Sequence, residues 1–216
     1  KIDDIIESFL HFEEEHIASG SSPAETIKMV TIINTIITSM LQDAWQHRQN
    51  NALKFEAPED APHDPEYIPW TASVGPRGIR TYLIKQHRTT IDQALTITQD
   101  AGEANVLYQL LLQITDIVLD GYNAQLESLR QAQGGDSPRY QEVLSKYETT
   151  RHDLIATFMK DGQHERAASL AEKYCDFDLL VELCEETDNQ DRLQRYINMF
   201  HNKGFSDFVF RWYVKK

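Results

Sequence analysis

Residues 167–212 read AASLAEKYCDFDLLVELCEETDNQDRLQRYINMFHNKGFSDFVFRW and contain four groups of apolar residues with one spacing. In each group the apolar residues stand at positions i, i+3, i+4 and i+7, and a helix of about 3.6 residues per turn places these positions on one side. The groups are Ala167, Leu170, Ala171 and Tyr174; Phe177, Leu180, Val181 and Cys184; Leu193, Tyr196, Ile197 and Phe200; and Phe205, Phe208, Val209 and Trp212. The stretch therefore predicts four short amphipathic helices in succession.

The same spacing occurs four times before residue 167. These groups are Ile2, Ile5, Ile6 and Phe9; Ile33, Ile36, Ile37 and Met40; Leu107, Leu110, Leu111 and Ile114; and Tyr140, Val143, Leu144 and Tyr147. The sequence has no sustained alternation of apolar and polar residues, which is the pattern typical of strands. With the cap signals, the pattern predicts helices near 2–18, 23–50, 77–99, 103–132, 138–160, 163–174, 177–186, 189–201 and 206–215. The predicted fold is all-α with about nine helices.

The predicted helices have no repeat of fixed length, because the last four groups begin at uneven intervals. Regular repeat arrays are therefore excluded, and we expect an irregular, solenoid-like α-helical stack. We expect residues 1–216 to form one segment of such a stack in a larger protein. The β-branched run 30–37 favours a buried strand when it is considered alone. A helix is preferred there, because Ser22-Pro23-Ala24-Glu25 provides an N-cap, a proline in the first turn and a capping-box glutamate.

The long interruption at 51–76 is a proline-rich internal linker. It contains five prolines, which disrupt helix interiors: Pro58, Pro62, Pro65, Pro69 and Pro76. Its first half is polar, so we expect proteases to cut first near 56–64. Its second half contains Tyr67, Ile68 and Trp70, which are too apolar for a free linker. We expect this half to pack on the helices, with Trp70 against one of them.

The composition excludes several functional classes. Hydrophobic residues make up 41% of the chain, which is typical of a folded protein and not of a disordered one. The formal net charge of −13 disfavours binding to nucleic acid, because a phosphate backbone would be repelled. No uninterrupted apolar run approaches the roughly 20 residues that a membrane-spanning helix needs. We therefore expect neither nucleic-acid binding nor membrane contact by these residues.

Three motifs suggest chemistry, and each has a simpler structural interpretation. His11 and His16 stand five residues apart, whereas the zinc motif of metalloproteases places its histidines four apart on one helical face. The run 11–16 is therefore interpreted as a solvated acidic face at the end of a helix. Cys175 and Cys184 have neither zinc-site spacing nor a recognisable base, and we interpret both as small core residues. No catalytic, cofactor-binding or metal-binding residue is predicted, and no cofactor or enzyme activity is expected.

The third motif is Gly75-Pro76-Arg77-Gly78, which matches the GxxG loop that clamps nucleic-acid backbone in KH domains. A KH domain needs three strands around this loop, and none is predicted. Arg77, Arg80, Lys85 and Arg88 form a predicted local basic patch on the following helix. The preferred interpretation is a rigid connection into a helix, with phosphate contact as the alternative.

Several stretches resemble the nucleoporin 133 family, in its vertebrate form. The most specific are ASLAEKYCDFD at 168–178, TDNQxRLQRY at 187–196 and FSDFxFRWY at 205–213. Upstream, EYxPWTA at 66–72, GIRT at 78–81 and DGY at 120–122 resemble the same family. The matching stretches follow one another in the same order over essentially the whole chain. The resemblance identifies the chain as the middle part of the family's C-terminal α-helical region.

The resemblance implies a function that the residues alone do not show. Family members are scaffold proteins of the Y-shaped subcomplex that coats the nuclear pore, in the nuclear envelope of the nucleus. They support pore assembly, and thereby nucleocytoplasmic transport and mRNA export. Their partners are other nucleoporins of the subcomplex, and the main contact is expected downstream of Lys216. The alternative is a helical adaptor segment of a vesicle-coat or trafficking complex, which uses a similar stack of helices.

The last predicted helix carries more aromatic residues than its own packing requires. If Phe205, Phe208, Val209 and Trp212 pack on the helix near 189–201, other aromatic side chains are left on the outer side. Phe210 and Tyr213 are expected to be exposed there. Exposed apolar surface favours association, so weak, concentration-dependent self-association is predicted.

Overall fold

A computed structural model describes residues 1–51, 54 and 66–216, and these residues form nine α-helices and no strand. The helices are α1 (Ile2–Ala18), α2 (Pro23–Asn50), α3 (Ile79–Thr89), α4 (Ala101–Gln133), α5 (Pro138–Lys160), α6 (His164–Tyr174), α7 (Phe177–Glu186), α8 (Gln190–Met199) and α9 (Phe205–Lys215). Short 3-10 turns lie at Trp70–Ala72 and His201–Lys203. The predicted all-α fold is confirmed.

The predicted helix near 77–99 is shorter than expected. The α-helical hydrogen bonding of α3 ends at Thr89, and residues Thr90–Leu95 form a π-helix. The hydroxyl of Thr90, which is fully buried, donates to the Gln86 carbonyl oxygen at 2.8 Å. This bond satisfies a backbone acceptor within the turn where the helix widens.

The run 30–37 is helical, as the cap at Ser22 predicted. The backbone N–H of Glu25 donates to Ser22 Oγ at 3.3 Å, and the Ser22 N–H donates to Glu25 Oε2 at 2.9 Å.

By length and composition alone, α2 is apolar enough to cross a membrane, contrary to the expectation from the sequence. Core helices pass the same test, and one side of α2 is buried within the protein through Val30, Ile33 and other residues.

The chain divides into two compact units, residues 1–145 and 146–216, with the boundary inside α5. In the first unit, α2 contacts α1 and α4, while α3 contacts α1 and α4. The 3-10 turn Trp70–Ala72 contacts α2, α3 and α4. The arrangement of 1–216 as one continuous stack segment stays a prediction.

In the second unit, α6 contacts α7, α7 contacts α8, and α9 contacts both α7 and α8. Aromatic rings fill the space between the last helices, because the ring centroid of Phe177 lies 4.9 Å from that of Phe205 and 5.7 Å from that of Phe208. On the outer side of α9, Phe210 is 71% exposed and Tyr213 is 43% exposed. The predicted contact with α8 and the predicted exposure of both side chains are confirmed.

In the second half of the linker, the turn Trp70–Ala72 contacts α2, α3 and α4, and the residues around it differ in burial. Pro69, Thr71 and Ala72 are buried, whereas Trp70 is half-buried and Tyr67 is 40% exposed. Trp70 is thus only half-buried at its predicted position against the helices, and its packing there stays a prediction. The expected protease-sensitive stretch 56–64 lies outside the described residues.

Candidate functional site

The histidines of α1 contact residues of their own helix. His11 Nε2 lies 3.2 Å from Glu15 Oε1, and the His16 ring stacks on Phe12 with centroids 6.4 Å apart. Over residues 1–51, 54 and 66–216, no group of three or more His, Cys, Asp or Glu side chains is arranged to hold a metal ion.

The interpretation of 11–16 as a solvated face is wrong at Glu13. Ile6, Leu10 and Glu13 are the buried residues of α1, whereas Ile5 of the predicted apolar group is 45% exposed. The buried side is therefore rotated away from the predicted one, and it brings a carboxyl group into the core. The spacing of Glu13 from Ile6 and Leu10, at i+7 and i+3, is the sequence signal that could have identified it.

The GxxG stretch forms a tight connection into α3. The Ser73 side chain accepts a hydrogen bond from the Ile79 backbone N–H at 3.0 Å, and its carbonyl oxygen accepts one from Arg80 N at 3.0 Å. A β-carbon at Gly78 would overlap the Ser73 carbonyl group. Glycine is thus required at 78 by close backbone packing, which is the structural interpretation preferred above.

In the predicted basic patch, three of the four cations are buried or paired with acidic side chains, and the fourth, Arg88, is exposed. Arg80 is buried, which contradicts its placement in a surface patch. Arg77 pairs with Glu7, and this hydrogen bond raises the pKa of Arg77 and lowers that of Glu7. Lys85 pairs with Glu14 of α1. These arginine and lysine side chains therefore attach α3 to neighbouring elements.

The two cysteines differ in their surroundings. Cys184 is fully buried, and burial raises the pKa of its thiol, as expected for a core residue. Cys175 is only half-buried and follows the last residue of α6 with a left-handed φ of 55°. Lys203 Nζ lies 3.1 Å from its sulfur. The interpretation as a core residue holds for Cys184 and is wrong for Cys175.

The three upstream stretches that resemble the nucleoporin family meet at one place in the first unit. Arg80 Nη1 donates to Gln125 Oε1 at 2.8 Å, and the guanidinium carbon of Arg80 lies 3.7 Å from the centroid of the Tyr122 ring. Stacking on an aromatic face and a hydrogen bond satisfy part of the guanidinium in a buried position. Arg80 thereby joins α3 to α4.

Glu66 connects this place to the start of α5. Gln125 Nε2 donates to Glu66 Oε1 at 2.5 Å, and Arg139 Nη2 donates to the same oxygen at 2.7 Å. Arg139 Nε also lies 3.0 Å from Glu66 Oε2. The hydrogen bonds from Arg139 lower the pKa of Glu66, so the carboxylate is ionised at neutral pH.

Gly121 allows the 66–72 segment to approach α4. A β-carbon at Gly121 would overlap the β-carbon of Ala72. Helix interiors disfavour glycine, so its presence within α4 needs a packing reason, and this contact supplies one. The DGY and EYxPWTA stretches are thus structural partners of each other.

In the second unit, the ASLAEKYCDFD stretch contains a buried ion pair. The Asp176 side chain is 1% exposed, and its Oδ2 accepts a hydrogen bond from Arg151 Nε at 3.0 Å. Its Oδ1 accepts one from the Leu179 backbone N–H at 3.2 Å, which caps α7. Arg151 Nη1 also donates to the Tyr174 carbonyl oxygen at 3.3 Å. One carboxylate therefore fixes the junction of α6 and α7 against α5.

A mainly apolar groove of about 320 Å³ lies between α2, the 3-10 turn and α4. Trp45, which is 38% exposed, forms part of its wall, and Leu41, Pro69 and Ile117 also line it. Asp120 of the DGY stretch lies at the same groove. Its lining residues include the carboxylates of Asp116 and Asp120 but no histidine, cysteine, lysine or arginine.

Comparison with known proteins gives relatives over the whole chain. It is 43% identical over 216 residues to "Nuclear pore complex protein Nup133" of Danio rerio, and 41% identical over 217 residues to the protein of that name of Homo sapiens. Both alignments cover 100% of this chain. The chain is homologous to a segment of the Nup133 nucleoporins. The resemblance found in the sequence, including its vertebrate form, is confirmed.

The chain spans only about a fifth of the length of these Nup133 relatives, because it covers 19% of the zebrafish protein and 18% of the human one. A more distant relative is "Nucleoporin nup132" of Schizosaccharomyces pombe, which is 26% identical over 210 residues and covers 89% of the chain. No family model matches the chain.

The motifs shared with the Nup133 family correspond to packing contacts in this structure. Sequence reasoning missed Gln125, Arg139 and Arg151, which bind the motif residues Glu66, Arg80 and Asp176. Gln125 had a usable signal, because it stands three residues after Tyr122 on the buried side of α4. Nothing in the local sequence distinguished the two arginines from surface residues.

Proposed function

We propose that the chain is a structural scaffold segment of the nuclear pore complex, within the Y-shaped coat subcomplex at the nuclear envelope. In this role it supports pore assembly, and thereby nucleocytoplasmic transport and mRNA export. The observation that carries the proposal is the alignment of the whole of this chain with part of two vertebrate proteins named for the nuclear pore. The position in the middle of the family's helical region belongs to the same proposal.

The packing supports a mechanical role. The motif residues Glu66, Gly121 and Asp176 hold helices to one another through hydrogen bonds or close contact. Buried charges with several partners favour one geometry over alternatives, since leaving either partner unpaired costs free energy. A scaffold segment needs helices that keep a fixed arrangement, and these contacts support one within each of the two units.

We also propose that the chain has no catalytic, cofactor-binding or metal-binding role and does not bind nucleic acid. The burial of Arg80 and the pairing of Arg77 and Lys85 with acidic side chains support this proposal. Metal analysis of protein purified without chelator should give less than stoichiometric zinc. A salt-sensitive gel shift of RNA or DNA at physiological ionic strength would contradict the second part, and Arg77→Glu would then locate the contact.

The partners in this proposal are other nucleoporins of the Y-shaped subcomplex, with the main contact outside this segment. We propose that the segment makes no membrane contact, because α2 buries one side inside the first unit. Weak self-association through the outer side of α9 is part of the proposal. The alternative of a vesicle-coat or trafficking adaptor is not favoured by the relatives reported above, which carry nucleoporin names.

A segment exchange tests the scaffold role. The matching segment of the human relative is replaced by residues 1–216, and the chimera is expressed in cells depleted of their own protein. We expect the chimera to reach the nuclear rim and to restore mRNA export. A matched chimera with Asp176→Ala, which removes the buried carboxylate, should accumulate less at the rim. A folded, soluble chimera that stays away from the rim would contradict the proposed function.

A further inference from the structure

Four polar side chains form a cluster inside the first unit, where α1, α2, α3 and the π-helix meet. They are Glu13 of α1, Asn34 of α2, Gln86 of α3 and Thr90 of the π-helix, and each is 0% exposed. Such a cluster costs free energy unless its donors and acceptors are matched. The matching of hydrogens in this cluster decides the protonation of Glu13.

Each donor atom of the cluster has at least one partner. Gln86 Nε2 donates to Glu13 Oε1 at 2.9 Å and to Asn34 Oδ1 at 2.8 Å, which uses both of its hydrogens. Asn34 Nδ2 donates to Thr90 Oγ1 at 2.8 Å. Thr90 Oγ1 in turn donates to the Gln86 backbone carbonyl oxygen at 2.8 Å.

Two acceptors are left without a hydrogen: Glu13 Oε2 and Gln86 Oε1. Both belong to the carboxyl and amide groups that the Nε2···Oε1 hydrogen bond already joins. A proton on Glu13 Oε2 supplies the donor that Gln86 Oε1 lacks, and the two groups then form a cyclic acid–amide pair with two hydrogen bonds. An ionised Glu13 would instead leave a buried charge with one neutral donor, which is an expensive arrangement.

The charges around Glu13 do not replace the missing proton. On α1 the charge of Glu14 raises the pKa of Glu13, and on α3 the charge of Lys85 lowers it. Lys85 is exposed and pairs with Glu14. Buried His87 on α3 has a pKa lowered to about 4, so it is neutral near pH 7. The residues that α2 and the π-helix bring to the cluster, Asn34 and Thr90, carry no charge.

We propose that Glu13 is protonated in the folded protein as an acid–amide pair with Gln86, and that loss of this proton weakens the attachment of α1 to α2 and α3. The proton is thus a ligand of the folded first unit. Its binding site consists of Glu13 Oε2 and Gln86 Oε1.

The pH range over which the stabilisation is lost follows from the difference between the pKa of Glu13 in the folded protein and its pKa in the unfolded chain. Burial raises the pKa of Glu13 from 4.5 to about 7 in the folded protein. Because the folded state binds the proton more tightly, the stabilisation is fully present below about pH 4.5 and is lost as the pH rises towards 7. With these pKa values, the opening equilibrium of α1 rises roughly 70-fold between pH 5 and pH 8.

Two measurements test the proposal on the 216-residue chain. The ¹³C chemical shift of the Glu13 carboxyl carbon reports its protonation directly, and it should titrate near pH 7. Hydrogen exchange of the α1 amides, corrected for the intrinsic rate, should show an increase of roughly 70-fold in opening between pH 5 and pH 8. A carboxyl carbon already ionised at pH 5.5, or α1 protection that does not change with pH, would overturn it.

Glu13→Gln provides the matched variant, because an amide can form the same cyclic pair without a titrating proton. Its α1 exchange should be independent of pH over this range. Glu14→Gln makes the same chemical change at the neighbouring exposed position and should keep the pH dependence, with its midpoint moved to lower pH because Glu14 raises the pKa of Glu13. If Glu13→Gln retains the full pH dependence, the proton lies elsewhere and the proposal is wrong. If Glu13→Gln does not fold, the carboxyl-carbon titration of the unaltered chain decides.

Discussion

Gly121 of α4 lies against Ala72 of the 3-10 turn so closely that a β-carbon at residue 121 would overlap the Ala72 methyl group. In an open helix interior, Gly→Ala stabilises by about 0.5–1 kcal/mol. Here we expect Gly121→Ala to destabilise the first unit by about 1–3 kcal/mol, because the turn must move away from α4. Urea unfolding measures the change in the free energy of unfolding.

A matched double variant controls for this contact, because it removes the β-carbon from residue 72 and adds one at residue 121. Ala72→Gly makes room for a β-carbon at 121, so the double variant Gly121→Ala, Ala72→Gly should recover much of the lost stability. The coupling between the two sites should be favourable and about 1 kcal/mol or more. Additive effects would show that the two residues do not press on each other.

Asp176 should be among the most sensitive positions of the second unit. Asp176→Ala leaves the Arg151 guanidinium without its carboxylate and removes the cap of α7, so we expect a loss of about 3–5 kcal/mol in the free energy of unfolding. Glu127→Ala, which breaks the exposed pair with Arg130, should cost less than about 1 kcal/mol. Equal losses in the two variants would mean that burial does not strengthen the Asp176 contact.

Substitution of Phe205 or Trp70 by alanine should lower the free energy of unfolding in proportion to the burial of the side chain and not to its size. Phe205 is 0% exposed within the aromatic cluster, so Phe205→Ala should cost about 3–5 kcal/mol. Trp70 is half-buried, and Trp70→Ala should cost at least about 1 kcal/mol less than that. Denaturant unfolding compares the two variants, and the reverse order would place the Trp70 ring in the core.

The outer side of α9 should cause weak self-association. Phe210 is 71% exposed and Val214 is 69% exposed, so they offer adjoining apolar surface one turn apart. Sedimentation velocity over increasing concentration should show association, and Phe210→Ser with Val214→Ser should reduce it. Phe12→Ser removes a similarly exposed ring from α1 and should leave association unchanged. A purely monomeric chain at high concentration would contradict this expectation.

The helices could be predicted well because their signals are local. α1, α2, α5 and α7 begin and end at the predicted residues, and the capping box at Ser22 forms with Glu25 as expected. Short-range spacing and caps decide such boundaries, since each involves residues within about one turn. The switch to a π-helix at Thr90 was missed, because no local signal marks it, and Thr90 contacts Asn34, which lies 56 residues away in sequence.

The polar contacts could not be predicted, because their partners are far apart in sequence. Arg139 binds Glu66 across 73 residues, and Gln86 binds Glu13 across the same separation. No local pattern indicates which acidic side chain binds which donor, and charged residues are exposed in most proteins. The motif stretches indicated the family correctly, but they did not reveal that Ala72 and Gly121 meet.

The left-handed residues at the junctions of the second unit affect the unfolded chain as well as the folded one. Cys175, with φ 55°, and Asp188, with φ 46°, occupy positions that glycine adopts with least strain. Glycine at 175 would relieve roughly 1–2 kcal/mol of backbone strain. It would also give the unfolded chain more conformations, which opposes that gain by about 0.4–1 kcal/mol. At these two junctions a non-glycine residue therefore restricts the unfolded chain and carries backbone strain in the folded one, and the strain is the larger of the two effects.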